Sequence, residues 1–426
     1  MEADDTVADR ERMKILHMVH GYTPAHGGTE HLIQLVSEQL VRDFHDSVTV
    51  ATLNTRSIEA FIGRRSDLLP TGTSWIHGVR VLRCPVITWP ARPLYWLQGG
   101  AFVLKLPGND WLRTFYNGPI SPVLYRVACA EPADLIAASS FPLLHMQYAM
   151  WAGKRRHCPV VLHGGLHPED RWGFDRPLIY KTIGAVQHYI ANTTYERDIV
   201  VKHGVDASRV TVIGPGTDPD RFSRGDGDAV RMRYRLSAAP IIGFIGQQAS
   251  HKGIDTLVNA MPLVWQEHPE AQLLIAGART GFSPRLDRLI DELKDRGGRV
   301  TVVPNFPEEE KADLFAACDI FAYPSGYESF GIAFLEAWAC RKPVVGCRSG
   351  AVPSVVTDGH DGLLVPYRNP SALAGSLLRL LDDASLRRDF GEHGYRKVLE
   401  LHTWPSVTAA YRKVYERALD GYGRKL

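Results

Sequence analysis

Glu328 and Glu336 lie eight positions apart in the segment Tyr327-Glu328-Ser329-Phe330-Gly331-Ile332-Ala333-Phe334-Leu335-Glu336. A strand-like run, Ile320-Phe321-Ala322-Tyr323-Pro324-Ser325, precedes the first glutamate, and an apolar helix-like run holds the second. The Phe330-Gly331 turn between them suits a helix N-terminus, whose first backbone N–H groups have no internal partners and attract anions. The spacing predicts a phosphate cradle with Glu328 at its rim and Glu336 two turns inside. Two carboxylates around such a cradle suit a ligand with hydroxyl groups on both sides of a phosphate, as in a sugar nucleotide. A second segment, Gly246-Gln247-Gln248-Ala249-Ser250-His251-Lys252-Gly253, places Lys252 just before a helix beginning near Ile254. A lysine there adds a point charge to the helix dipole, which would neutralise a diphosphate; a solvated turn lysine is the plainer alternative.

These residues need a scaffold. The apolar run Met13–Val19, the loop Gly21–Thr29 with Gly27-Gly28, the helical spacing of His31–Leu40 and the run Ser47–Thr52 read strand, glycine loop, helix, strand. That is the opening of a doubly wound α/β domain. Further strands are expected at Val79–Arg83, Leu135–Ala138, Val160–Leu162, His188–Asn192 and Arg209–Ile213. After the punctuated segment Gly214–Asp218 the rhythm restarts. Strands are expected at Ile241–Gly246, Gln272–Ala276, Val300–Val303, Ile320–Tyr323 and Val344–Gly346, with helices at Asp255–Gln266, Arg285–Lys294 and Glu308–Ala317. Two such series predict two similar α/β domains facing across a cleft, residues 13–214 and 215–403. Residues 404–426 are expected to cross back onto the first domain, and residues 1–12 to form a loose tail. Ligands of such sheets bind at the carboxyl ends of the strands.

The chain has 426 residues, enough for two cores, and its net charge of +2 argues against a nucleic-acid binder. It contains no run of about 18 uncharged apolar residues, so no membrane-spanning helix is expected, and the acidic start Met1–Asp5 does not read as a signal peptide. The six cysteines form no C-x-x-C pair and are expected to be reduced and mostly buried; the 17 histidines show no metal-binding spacing. Between residues 89 and 117 the α/β rhythm breaks at Trp89, Tyr95, Trp96, Phe102, Trp111, Phe115 and Tyr116. That stretch reads either as helices packed on the sheet or as an acceptor or membrane-surface patch.

Taken in order, these segments resemble the retaining glycosyltransferases of family 4, which have the GT-B fold. The resemblance runs from about Met13 to Leu419. It rests on Gly27-Gly28, on Lys252-Gly253, on the Glu328–Glu336 segment with its Phe-Gly interior, and on the closing run Gly350-Ala351-Val352-Pro353 through Asp358–Val365. The resemblance implies that Lys252 binds the donor diphosphate and that Glu328 accepts hydrogen bonds from the donor sugar. The backbone of Phe330, Gly331 and Ile332 would lie near sugar and phosphate, and Glu336 would hold the ribose hydroxyls. The base would pack near Val303–Phe306, and Gly27 and Gly28 would admit the diphosphate. His163, at the end of a strand and ahead of Gly164-Gly165, resembles the family's histidine that contacts the sugar. The sequence departs from the family at Gln247, where an arginine is common, and at Ser354, where a glutamate is common. Arg279 or the first domain is expected to supply the missing contact.

The resemblance further implies a hexosyl- or N-acetylhexosaminyl-type transferase. The donor would be a UDP-sugar, with GDP-mannose second, and the acceptor a saccharide, lipid-linked glycan or small-molecule hydroxyl. Transfer would proceed by front-side displacement with an alpha linkage, without metal or other cofactor. The alternatives are a sugar-nucleotide epimerase, a phosphorylase on a similar fold, or a non-catalytic sugar-binding subunit. A cytoplasmic location, with peripheral membrane contact of the first domain, is the matching expectation.

Overall fold

The computed structural model describes residues 12–25, 27–57, 61, 67–89 and 91–423; the expected tail therefore lies outside the described residues but for Arg12. The chain divides into two compact units. The first holds the chain to Asn192, Glu196–Ile213 and Val407 onward; the second holds Thr193–Tyr195 and Gly214–Ser406.

The strands of the first unit are β1 (Lys14–Met18), β2 (Ser47–Leu53), β3 (Gly72–Ile76), β4 (Val79–Cys84), β5 (Leu135–Ser139), β6 (Val160–His163), β7 (His188–Ala191) and β8 (Val210–Val212). They form one sheet in the order β3-β4-β2-β1-β5-β6-β7-β8. Every pairing is parallel except β3 with β4. The central strands are apolar runs because helices cover both faces of a parallel sheet. β3 escaped the sequence reading because, as a half-exposed edge strand, it lacks such a run. His17 is a polar residue inside β1, and its two ring nitrogens lie 2.6 Å from Ser37 Oγ and 3.1 Å from Tyr415 Oη. Tyr415 belongs to the last described helix, Trp404–Gly423, which also anchors to this unit through Arg412 on Asp46 and Thr408 on Gln39.

The strands of the second unit are β9 (Ile241–Ile245), β10 (Gln272–Gly277), β11 (Val300–Pro304), β12 (Ile320–Ala322), β13 (Val344–Cys347) and β14 (Gly362–Val365). The sheet is wholly parallel, in the order β11-β10-β9-β12-β13-β14. The chain starts in the middle at β9, winds outward to β11, then returns past β9 to β12. The connections leaving β9 and β12 therefore run on to strands on opposite sides, and such a reversal opens a ligand crevice at their carboxyl ends. Helices Ile254–Glu267, Ser283–Asp295 and Lys311–Ala317 flank the sheet within a few residues of their expected bounds, and the apolar run holding Glu336 forms the helix Ile332–Ala339.

Candidate functional site

The loop after β9 makes one tight turn, Ser250–Lys252, and enters the helix Ile254–Glu267 through Gly253. Gly253 has φ 69°, and a Cβ there would stand 2.0 Å from the Pro324 carbonyl oxygen, so only glycine fits. The loop after β12 is tied to the same turn. Gly326 N donates to His251 O at 2.9 Å and Ser325 Oγ to the same oxygen at 3.2 Å. The two loops thereby bring Lys252 Nζ to 2.6 Å from Glu328 Oε1, with the side chains only 16% and 10% exposed. The ammonium also lies 5.6 Å from the centroid of the Tyr323 ring. Tyr323 is buried with its hydroxyl against Glu328; burial first, then that carboxylate, raise its pKa well above the usual phenol.

Gly331, with φ 96°, is the N-cap of the helix Ile332–Ala339, so the Phe-Gly turn does open a helix. Glu336 stands in the second turn of this helix, closer to its start than two full turns. Lys311 Nζ is 2.5 Å from Glu336 Oε1. Burial raises the Glu336 carboxyl above the usual range, and Lys311 opposes that rise. Lys311 escaped the sequence reading because Glu308-Glu309-Glu310-Lys311 looks like a solvated charge run. The result is two carboxylates, each held by a lysine, on either side of one helix N-terminus. Such an N-terminus accepts phosphate, and the lysines balance the carboxylates beside it.

The remaining candidates of this unit divide by burial. Val303 is part of the hydrophobic core, whereas Phe306 is only partly buried at its margin. The Phe330 ring is buried and packs edge-on against His402, so this residue can offer a ligand its backbone. Gln247 is exposed. The Arg279 guanidinium is paired with Asp287. Its backbone N–H donates to Asn305 Oδ1 at 3.1 Å, which ties the loop after β10 to that after β11.

In the first unit, His163 ends β6 and is 4% exposed. Its Nε2 lies 2.8 Å from Asn192 Oδ1, and burial lowers its pKa to about 4. The ring is therefore neutral at physiological pH, with Nε2–H donating to the asparagine carbonyl. The turn after it is held by Glu196, a residue the sequence reading missed. Glu196 Oε1 accepts from the backbone N–H groups of Gly165 at 3.1 Å and Leu166 at 3.3 Å, and from the Tyr189 hydroxyl at 2.5 Å. Glu196 Oε2 accepts from Asn192 N at 2.8 Å. A Cβ on Gly164 would fall 1.8 Å from Glu196 Oε1, which explains the first glycine of the Gly-Gly pair. At the carboxyl end of β1, Gly27 caps the helix Gly28–Phe44. Space beside Gly27 is taken by Glu30, whose carboxylate is 2.8 Å from His20 Nε2.

Comparison with known proteins places the chain among glycosyltransferases. The family model "Glycosyl transferases group 1" matches residues 234–397, and "Glycosyltransferase Family 4" matches residues 26–221. A D-inositol 3-phosphate glycosyltransferase of Stackebrandtia nassauensis is 32% identical over 394 residues, covering 85% of this chain and 83% of that one. One from Streptomyces bingchenggensis is 34% identical over 253 residues; the match takes in 57% of this chain and about half, 55%, of the relative's length. Among solved structures, Anabaena HepE in complex with UDP and glucose superposes with a TM-score of 0.70 at 18% identity, covering 95% of this chain and 100% of that one. Sucrose-phosphate synthase from Thermosynechococcus elongatus gives 0.68 at 20% identity, covering 96% and 100%.

Proposed function

The chain belongs to glycosyltransferase family 4, with the GT-B fold, and on that premise we propose that it transfers a sugar with retention from a nucleoside diphosphate sugar to a hydroxyl acceptor. The observation that carries this reading is the Lys252–Glu328 pair at the β9/β12 crevice. Lys252 and the helix N-termini after Gly253 and Gly331 would take the diphosphate. Glu328 would accept hydrogen bonds from the sugar, and Glu336 from the ribose. Neither carboxylate acts as a nucleophile in this reading, because the family resemblance assigns both to hydroxyl groups of the donor. The leaving diphosphate would instead deprotonate the acceptor in a front-side displacement, with positive charge at the anomeric carbon. Stabilisation of the leaving group by fixed charges would be the main protein contribution. A neutral His163 adds no cation to oppose that developing charge.

UDP-sugars are the first donors to test, because solved neighbours of this fold were captured with UDP and UDP-glucose; GDP-mannose is second. Inositol phosphates head the acceptor panel, since the relatives carry that name. Charge on the diphosphate would be met by lysine and helix termini, so activity should persist in a chelator. The test is release of nucleoside diphosphate from a panel of UDP- and GDP-sugars, with and without acceptors. Neither transfer nor slow donor hydrolysis with any of them would overturn the reading. Interconversion of donor sugars without nucleotide release would favour an epimerase.

A further inference from the structure

Eighteen large hydrophobic side chains are exposed among the described residues, and eleven of them fall between Ile87 and Phe115. The aromatic stretch forms two helices, Ala91–Val103 and Asn109–Asn117. Only Gln98 and Ala101 of the first helix are buried. Tyr95, Trp96, Leu97, Phe102, Val103 and Leu104 face solvent, with Trp96 at 77% and Trp89 just ahead at 78%. A concentration of this kind on a folded surface marks a contact site.

The patch is carried on a firm base. The Trp172 indole donates to Gln98 Oε1 at 3.2 Å, and Arg113 donates to the Trp172 carbonyl at 2.8 Å. Trp111 stacks on Trp151 at 5.8 Å, and Trp151 meets Tyr125 edge-on at 6.3 Å. Charge along the exposed stretch itself is one-sided. Between Trp89 and Asn109 the chain carries Arg92 and Lys105 and no acidic residue. One turn beyond Trp151 come exposed Lys154 and Arg155, and Arg155 lies against the Tyr125 hydroxyl. Of the neighbouring acids, Asp110 pairs with Arg113 and Glu131 with Arg80, while exposed Glu169 and Asp170 in the Trp172 turn stand beside exposed Arg171.

We infer that this face docks on an anionic bilayer surface. Tryptophan and tyrosine favour the boundary between headgroups and acyl chains, where an apolar ring and a polar edge are both satisfied. Basic residues beside them meet the anionic headgroups, as on helices that lie in the membrane plane. No described helix is long and apolar enough to cross a membrane, so attachment through this patch is peripheral.

The test is sedimentation of the full-length protein with phosphatidylcholine vesicles, with and without phosphatidylglycerol, at low and high salt. The expected result is binding at least about tenfold stronger to the anionic vesicles, weakened by salt. Trp96→Ser with Leu104→Ser should abolish binding, and Arg92→Glu with Lys105→Glu should remove the anionic preference. All four side chains are exposed, so thermal melting should be unchanged. Quenching of wild-type tryptophan fluorescence by brominated lipid provides a readout that no variant can confound. Wild-type protein that stays in the supernatant with both vesicle types overturns the inference. So does a patch whose substitution leaves vesicle binding intact, or one that instead converts a dimer to a monomer in sedimentation velocity.

Discussion

Lys252 Nζ lies 2.6 Å from Glu328 Oε1, although the two residues are 76 positions apart. Adjacency of β9 and β12 explains the meeting, since each strand delivers one residue to its carboxyl end. In the proposed reaction the pair is the junction between the phosphate and sugar subsites. Neither charge has to be created on substrate binding, and each is kept in place by the other. Fixed charges of this kind cost little reorganisation when the leaving group develops its own charge.

Lys252→Ala should lower kcat/KM about 100- to 1000-fold, the usual cost of one lost donor to a developing oxyanion. It should also destabilise the fold, because Glu328 is left nearly buried without its cation. Lys252→Ala with Glu328→Gln should recover part of the melting temperature and none of the activity. Steady-state kinetics and thermal melts of the two variants check both statements; unchanged kcat/KM in Lys252→Ala removes the phosphate role.

Glu336 is proposed to accept hydrogen bonds from the ribose, which requires its ionised form. Its carboxyl is raised by burial, so protonation begins above the usual carboxylate range. Donor affinity should therefore weaken as pH falls from neutrality toward that raised value. Glu336→Gln should bind donor more weakly at neutral pH and lose this pH dependence. Calorimetric titration of the preferred nucleoside diphosphate across pH decides it. A variant with wild-type affinity and only a kcat defect would contradict the ribose assignment.

Much of this arrangement was legible in the sequence because parallel sheets bury both faces. Runs such as Ile241–Ile245 and Gln272–Gly277 are nearly continuous in apolar residues, and glycines mark where their loops turn. Lys252, Gly331 and the order of the two α/β series followed from the same signals. What stayed hidden depends on partners distant in sequence. Lys311 reaches Glu336 only because two helices lie side by side. Glu196 reads as an ordinary helix glutamate until β6 and β7 are paired and its carboxylate meets four donors. The Val303 side chain looked available to a base, but the core takes it.

Acidification should loosen the first unit. Burial lowers His17 and His145 to about 3, and His163 and His188 to about 4. Between those values and 6.5 the unfolded chain binds protons that the folded chain does not, so stability rises with pH there and falls on acidification. Each buried histidine contributes on the order of 1–2 kcal/mol between pH 6.5 and 5. Glu196, whose carboxyl is raised, acts in the opposite sense as pH falls. His188→Gln, which keeps a hydrogen-bonding group near Thr211, should flatten the slope of melting temperature against pH. A slope identical to wild type would show that His188 is not among the groups that drive it.

Glu196→Gln isolates the turn that carries His163. The carboxylate accepts from four donors, whereas a glutamine amide offers one oxygen and turns its NH2 toward at least one of those N–H groups. The loss should be about 2–4 kcal/mol of stability, from donors left buried without acceptors. Asn192 and Gly165 would shift with it, and His163 would lose its fixed orientation. Gly164→Ala should act alike, since its methyl group would push the same carboxylate away. Both variants should lower kcat while leaving nucleoside diphosphate affinity within about twofold of wild type, because the proposed nucleotide contacts belong to the second unit. Equal losses of nucleotide affinity and kcat would show that Glu196 supports the fold as a whole and not the histidine turn.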